Sequence, residues 1–270
     1  MSAPSSKARP FFVVSSGRSG TAMLHKALSV AGGVEMHHEY MVQIVQPLAV
    51  RRYHGLIGAQ ETSKILDQTH AAAARCSAAA AWGDSSNKLS WLIPDLAQAM
   101  PQAKFVHLVR DGRKVSSSYF HKLGDECYDD RSTAILRAHV EHGAPAPPPE
   151  KKYWWPLPPG ELDQFGRIAW HWAEINGAIL RSLAQVAPER QMFVRLEDLL
   201  VSPSLGRSLF GFLGLTWRNE QFAIFARPHN VNRPEDKPLT SEQRAAFDRL
   251  AAPMMARLGY AERAEYVVNY

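Results

Sequence analysis

Three clusters in this chain carry side chains whose types and spacing suit chemistry on anions. The first is Ser15-Ser16-Gly17-Arg18-Ser19-Gly20-Thr21, followed by Ala22. Its glycines let backbone N–H groups approach an anion closely. Arg18 adds a permanent fork of donors, and Ser19 and Thr21 supply hydroxyls. Between a strand and a helix, such a loop binds phosphate through its N–H groups and the positive helix end. It lacks the Gly-Lys-Ser/Thr of the common nucleoside triphosphate loop, which argues against ordinary ATP or GTP use with magnesium. Taken alone, the segment also fits a plain tight turn with a surface arginine.

The second cluster is Arg110, followed eight residues later by Ser118. That spacing is slightly more than two helical turns, so both groups can lie on one side of a helix start. An arginine and a hydroxyl converging there suit a second phosphate. They also suit a strand-end ion pair, Arg110 with Asp111 or Glu197, beside a solvent-facing serine. The third cluster, Met36-His37-His38-Glu39-Tyr40, holds candidate proton acceptors. Glu39 is the first choice. His38 is the second, because an imidazole titrates near neutral pH. An ion-paired Glu39 with His37 and His38 as fillers is the structural alternative.

These clusters need elements to position them. Pro10–Ser15 reads as a strand around Phe11-Phe12-Val13-Val14, and Thr21–Ala31 as a helix stopped by Gly32-Gly33. A strand follows at Val34–His38, a helix at Thr62–Arg75, and a short strand ending at Trp82-Gly83. Leu89–Met100 is apolar at helical spacing and Pro101 breaks it. Lys104–Val109 reads as a buried strand, and Asp111 as the N-cap of a helix reaching about His121. Further on come a long helix at Phe165–Val186, a strand at Gln191–Leu196 and a helix at Pro203–Leu213 ended by Gly214. The last helix, Thr240–Leu258, opens on a capping box and stops at Gly259. Strands alternating with helices predict a parallel sheet with right-handed crossovers. Ligands of such sheets bind at the carboxyl ends of the strands, where all three clusters fall. Residues 1–270 read as a single domain, with 124–164 an inserted, charged and then proline-rich excursion.

Lys and Arg exceed Asp and Glu by 31 to 26, a formal net charge of +5. The basic residues are dispersed, so nucleic acid is not implied, while a modestly positive field suits an anionic ligand. Cys76 and Cys127 sit in no metal-type spacing and read as free thiols of a reducing compartment. No secretory leader, anchor or run of eighteen apolar residues is legible, so a cytoplasmic protein without a membrane span is expected.

Together, Arg18-Ser19-Gly20-Thr21 and Arg110…Ser118 resemble the sulfotransferases that use 3′-phosphoadenosine 5′-phosphosulfate, of bacterial type. Trp172-Ala173-Glu174-Ile175-Asn176, Arg195-Leu196-Glu197-Asp198-Leu199 and Phe210–Leu215 look like later segments of that family. The resemblance implies a P-loop-like three-layer α/β fold, with a mainly parallel sheet flanked by helices plus helical insertions. It implies that the loop from Arg18 to Ala22 holds the 5′-phosphosulfate, with Arg18 electrostatic in catalysis, and that Arg110 and Ser118 hold the 3′-phosphate. The position of Glu39, 21 residues after Arg18, is similar to that of the glutamate base of tyrosylprotein sulfotransferases. The implied product is adenosine 3′,5′-bisphosphate, without a metal. The implied acceptor is a hydroxyl or amine on a small molecule or peptide. Arg233, in a loop resembling the segment that closes over the cofactor, is a candidate phosphate contact. Tyr153, Trp154 and Trp155 could line an acceptor lid or pin their loop to the body. The family lysine on the strand before Arg110 falls here near Ser85 or Ser86, with Lys88 close by, and the family's strand tyrosine is Leu196. A P-loop kinase or NTPase, and an idle nucleotide-binding module of the same fold, stay open at this point.

Overall fold

The structure is a computed structural model that describes residues 8–124, 126–147, 155–225 and 237–265. The chain runs β1 (Arg9–Val14), α1 (Thr21–Ser29), β2 (Val34–His38), α2 (Val42–Tyr53) and α3 (Ala59–Leu66). A π-helical turn at Asp67–Ala71 leads into α4 (Ala72–Cys76), β3 (Ala81–Ser85), α5 (Ile93–Ala99) and β4 (Lys104–Val109). Then come α6 (Gly112–Leu123), α7 (Asp130–His142), α8 (Gln164–Leu183), β5 (Gln191–Arg195) and α9 (Leu196–Val201). The chain closes with α10 (Pro203–Leu213), α11 (Asn219–Phe225) and α12 (Ser241–Arg257). Among the described residues no helix is long and apolar enough to cross a membrane.

All five strands are parallel, in the order β2-β3-β1-β4-β5. β1 is apolar on both faces because successive side chains of a strand point to opposite sides. Phe12 and Val14 pack with Trp82, Phe105, Leu92 and Ile175. Phe11 and Val13 pack on the other face with Leu24, Val106, Leu108 and Phe210. This is the three-layer α/β arrangement expected.

The order also fixes where a ligand can enter. From β1 the chain moves to β2 on one side of the sheet, and from β4 it moves to β5 on the other. The loops leaving β1 and β4 therefore diverge, and a crevice opens between them at the strands' carboxyl ends. Pairing of Val14 with His107 lets β4 run further, so Arg110 stands at that crevice beside the β1 loop.

Four local expectations need correction. α2 and α7 were not anticipated. The helix expected at Thr62–Arg75 is three pieces, joined through the π-helical turn. Leu89–Met100 divides into a 3₁₀ turn at Leu89–Trp91 and α5, whose first turn holds Pro94, a position where no backbone donor is missed. β3 continues past Trp82-Gly83 to Ser85, while β5 stops at Arg195, where Leu196 begins α9.

Candidate active site

The β1–α1 loop turns through left-handed backbone at Gly17 (φ 76°), Arg18 (φ 52°) and Gly20 (φ 88°). Such a turn faces successive N–H groups to one side, as an anion cradle requires. A Cβ on Gly17 would lie 2.0 Å from Tyr119 Oη, and one on Gly20 would lie 2.7 Å from Leu196 Cδ1. The loop is pinned from below: the Tyr119 hydroxyl donates to the Ser16 carbonyl at 2.9 Å. Ser90 ties Ser15 twice, its Oγ accepting from the Ser15 N–H at 2.9 Å and donating to the Ser15 carbonyl at 2.8 Å. The buried His171 ring lies 4.4 Å from that of Trp155 and 6.3 Å from that of Tyr119, completing this floor. Burial first pushes the His171 imidazole down to about 3, Lys88 pushes the same way, and the Ser16 carbonyl opposes both. The ring is therefore neutral.

The β4–α6 junction begins with Asp111 as N-cap, its Oδ1 accepting from the Arg113 N–H at 2.9 Å. Asp111 also pairs with the Arg113 guanidinium at 2.6 Å. Glu197 accepts from the Asp111 N–H at 2.9 Å and from the Tyr260 hydroxyl at 2.7 Å. Both carboxylates considered as partners of Arg110 are thus engaged elsewhere. Arg110 Nη1 instead donates to the Arg18 carbonyl at 3.0 Å, and Arg18 Nε donates to Ser118 Oγ at 2.9 Å. The two anion clusters meet in one place. The resemblance points the Arg18 side chain at the phosphosulfate end, whereas here it turns to α6 and Ser118. Lys122, one turn beyond Ser118, shares this neighbourhood, and its amine is shifted down by burial and then by the Arg18 charge.

On the other side of the loop, His38 pairs with Ser85 at the carboxyl ends of β2 and β3. Glu39 follows in left-handed backbone (φ 59°), its N–H donating to the Ser85 carbonyl at 3.1 Å. Asp84 Oδ1 accepts from the Tyr40 N–H at 3.2 Å, which straps the same turn to β3. The Glu39 carboxylate receives Lys88 Nζ at 2.5 Å. Lys88 is buried, with Nζ 6.0 Å from the centre of the Trp155 ring. It brings an amine to the rim that Ser85 and Ser86 do not supply. His38 Nδ1 lies 2.9 Å from both Ser85 oxygens, and its ring packs on His25. His37 pairs with Glu35 at 2.9 Å.

Arg18, Arg110, Ser118, Glu39 and Lys88 are thus gathered on one rim, whereas Arg233, Tyr153 and Trp154 lie outside the described residues. Trp155 is packed into the body. Tyr119, His171 and Asp84 were not singled out from sequence. For Tyr119, adjacency to Ser118 was the available signal; nothing in the sequence marked the other two.

The sulfotransferase family model matches residues 10–143. No curated protein matches the chain. A sulfotransferase from Alicyclobacillus acidocaldarius is 16% identical over 95% of this chain and 97% of its own, with a TM-score of 0.55. Sulfotransferase STF9 from Mycobacterium avium is 12% identical over 94% of this chain and 77% of its own, with a TM-score of 0.55. The sulfotransferase domain of the Synechococcus PCC 7002 olefin synthase is 15% identical over 99% of both chains, with a TM-score of 0.51. The likeness to these three is one of fold.

Proposed function

Residues 10–143 match the sulfotransferase family, and from that likeness we propose that the chain moves a sulfuryl group from 3′-phosphoadenosine 5′-phosphosulfate to an acceptor hydroxyl or amine, with Glu39 as base. The observation that carries this reading is the order of groups along the rim. Glu39 follows β2, Lys88 follows β3, the glycine loop follows β1, and Arg110 follows β4. Parallel strands stand about 4.8 Å apart, so the row spans about 14 Å. Read in the same direction, an in-line transfer needs a base, the group in flight, the leaving phosphate and the distal phosphate.

The residues suit such a donor. The glycine cradle leaves no room for a Cβ at Gly17. The loop N–H groups from Arg18 to Ala22 can hold the 5′-phosphate, and Arg110 and Ser118 the 3′-phosphate. Once bound, the donor supplies the sulfuryl group, whose S–O bond to the 5′-phosphate breaks as a bond to the acceptor oxygen or nitrogen forms. Glu39 takes the acceptor proton. Lys88, already against that carboxylate, offers its remaining N–H donors to charge on the group in flight. The loop N–H groups take up charge growing on the leaving phosphate. A small molecule or a peptide meets these demands as acceptor. Cys76 and Cys127, both free thiols, accord with a cytoplasmic setting.

Thermal shift separates this from a kinase. Adenosine 3′,5′-bisphosphate at a hundred times its dissociation constant should stabilise the fold by about 2.7 kcal/mol. Stabilisation by ATP-Mg with no response to the bisphosphate rejects the assignment.

A further inference from the structure

His70 and Asp84 form a buried pair behind the turn that carries Glu39. Both side chains are fully enclosed, and His70 Nε2 lies 3.6 Å from Asp84 Oδ2. Among the described residues neither of these two atoms has a hydrogen-bond partner. Such atoms are rare inside proteins. One proton accounts for both. The Thr69 hydroxyl donates its single proton to the Ile65 carbonyl at 2.8 Å, so Thr69 Oγ1 accepts from His70 Nδ1 at 3.1 Å. Without a further proton, lone pairs of Nε2 and Oδ2 would face each other in dry surroundings, so a proton stands between them, on the ring or on the carboxyl. The π-helical turn at Asp67–Ala71 carries His70 to this place, and such turns are frequent at functional sites. The second oxygen of Asp84 holds the turn after β2. Asp84 Oδ1 accepts from the Tyr40 N–H at 3.2 Å, and the Tyr40 ring meets the His70 ring edge-on at 5.3 Å. Tyr40 follows Glu39, whose left-handed backbone (φ 59°) persists only where its surroundings hold it.

We infer that His70 and Asp84 are positioning residues for Glu39. The ring fixes the Asp84 carboxyl through the proton between them. The carboxyl fixes the Tyr40 N–H, and the turn so held presents Glu39 to Lys88 at 2.5 Å. Resting on the reading of Glu39 as base, the pair sets the direction of the base without touching a reacting atom.

Amide hydrogen exchange, read by NMR on the full chain, tests this without any ligand. His70→Phe keeps a ring against Tyr40 and Trp82 and removes both nitrogens. Its Tyr40 N–H should exchange about tenfold faster relative to the amides of β1, the scale of one buried hydrogen bond. Asp84→Leu should raise the same ratio. Asp84→Asn should not. Its carbonyl still accepts from Tyr40 and its amide N–H supplies the proton that His70 Nε2 lacks, so the ratio should stay within about threefold of wild type. Should Asp84→Leu or His70→Phe fold poorly by circular dichroism, the other decides together with Asp84→Asn. Turnover adds a second measurement, with tyramine as probe because it offers both a phenol and an amine. In His70→Phe, kcat should fall roughly 10- to 100-fold, as for a misplaced reacting group, while bisphosphate affinity stays within about twofold. Asp84→Asn should keep most of its kcat. An unchanged Tyr40 ratio in the Phe and Leu variants overturns the inference. So does an Asn variant as impaired as the Leu variant, or a kcat that does not follow the exchange ratio. A wild-type chain that fails to bind the bisphosphate rejects the sulfotransferase reading instead, and the exchange ratios still decide whether the pair holds the turn.

Discussion

Two residues carry opposite burdens in this site: Gly17 has no room for a side chain, and on the proposed mechanism Glu39 must supply a carboxylate. Gly17→Ala puts a methyl into left-handed backbone and onto the Tyr119 hydroxyl, which then leaves the Ser16 carbonyl. The strain costs about 1–2 kcal/mol and the lost hydrogen bond about 1 kcal/mol. Chemical denaturation should therefore show a loss of about 2–3 kcal/mol. The Cβ of Gly20→Ala meets only the end of the Leu196 side chain, so that variant should lose less. Adding Tyr119→Phe to Gly17→Ala should cost less than the two separate losses combined, because one oxygen figures in both. Glu39→Gln removes the proposed proton acceptor and leaves alone the groups proposed to hold phosphate. Release of bisphosphate from the donor should fall about 100-fold or more, while bisphosphate affinity stays within about twofold. Unchanged turnover removes Glu39 as the base. Both residues were legible in the sequence, since glycine in a strand-to-helix loop and a carboxylate at a strand end declare themselves by type. Lys88 was legible only as a neighbour. It sits beyond β3, past the serines at the expected position, and the length of a lysine stem makes up that displacement.

At the scale of elements, α6 matters most because it carries Ser118. Its cap, Asp111, is buried and holds both the Arg113 N–H and its guanidinium. Asp111→Ala should cost more than the roughly 1 kcal/mol usual for a cap, about 2–3 kcal/mol, because a half-buried arginine is stranded with it. Thr240→Ala removes an exposed capping-box hydroxyl from α12 and should cost only about 1 kcal/mol in the same urea titration. An Asp111 variant no weaker than the Thr240 variant contradicts this ranking. Both caps were readable from residue order alone, as were β1, β2, β4 and α10, where pattern and punctuation agree. α2 escaped because Pro47 interrupts its pattern, although the helix accommodates it. α7 escaped inside a stretch that looked charged and irregular, yet Asp129 caps its start and left-handed Gly143 its end. Those two signals were present and were outweighed by composition. The break at the π-helical turn had no local signal. It delivers His70 into contact with Trp82 and Tyr40, a tertiary demand that helical periodicity does not encode.

Across the whole molecule, the sheet order makes the site, and α8 supports it from behind with neutral histidine environments. His107 on β4 sits at Asn176 of α8, Nε2 to Oδ1 at 2.9 Å, and burial pushes it down to about 4 against the Asn176 bond. His171 of α8, beneath the phosphate loop, is pushed down to about 3. Above the ordinary value of 6.5 both rings are neutral whether folded or not, and pH changes nothing through them. Below it the unfolded chain takes up protons that the folded one refuses, so stability falls as pH falls, until the folded values are reached. Each ring contributes a slope of about 1.4 kcal/mol per pH unit. At pH 5 the pair should therefore have cost about 4 kcal/mol. His25, His54 and His121 are also shifted down by burial and add to the same trend, but they are less enclosed and each adds less. Paired carboxylates such as Asp198, held down by Arg263, lose their contribution only at lower pH. Denaturant titrations across that window should show stability dropping steeply in the wild type. His171→Gln should drop with a slope about 1.4 kcal/mol per pH unit shallower, whatever its stability at neutral pH. The loop above His171 rests on this ring's neutral form, which the folded chain keeps throughout that window, so bisphosphate affinity should not follow the fall in stability through this ring. A slope identical in the two chains would mean that His171 takes a proton as readily folded as unfolded, and the dry floor beneath the phosphate loop would not exist.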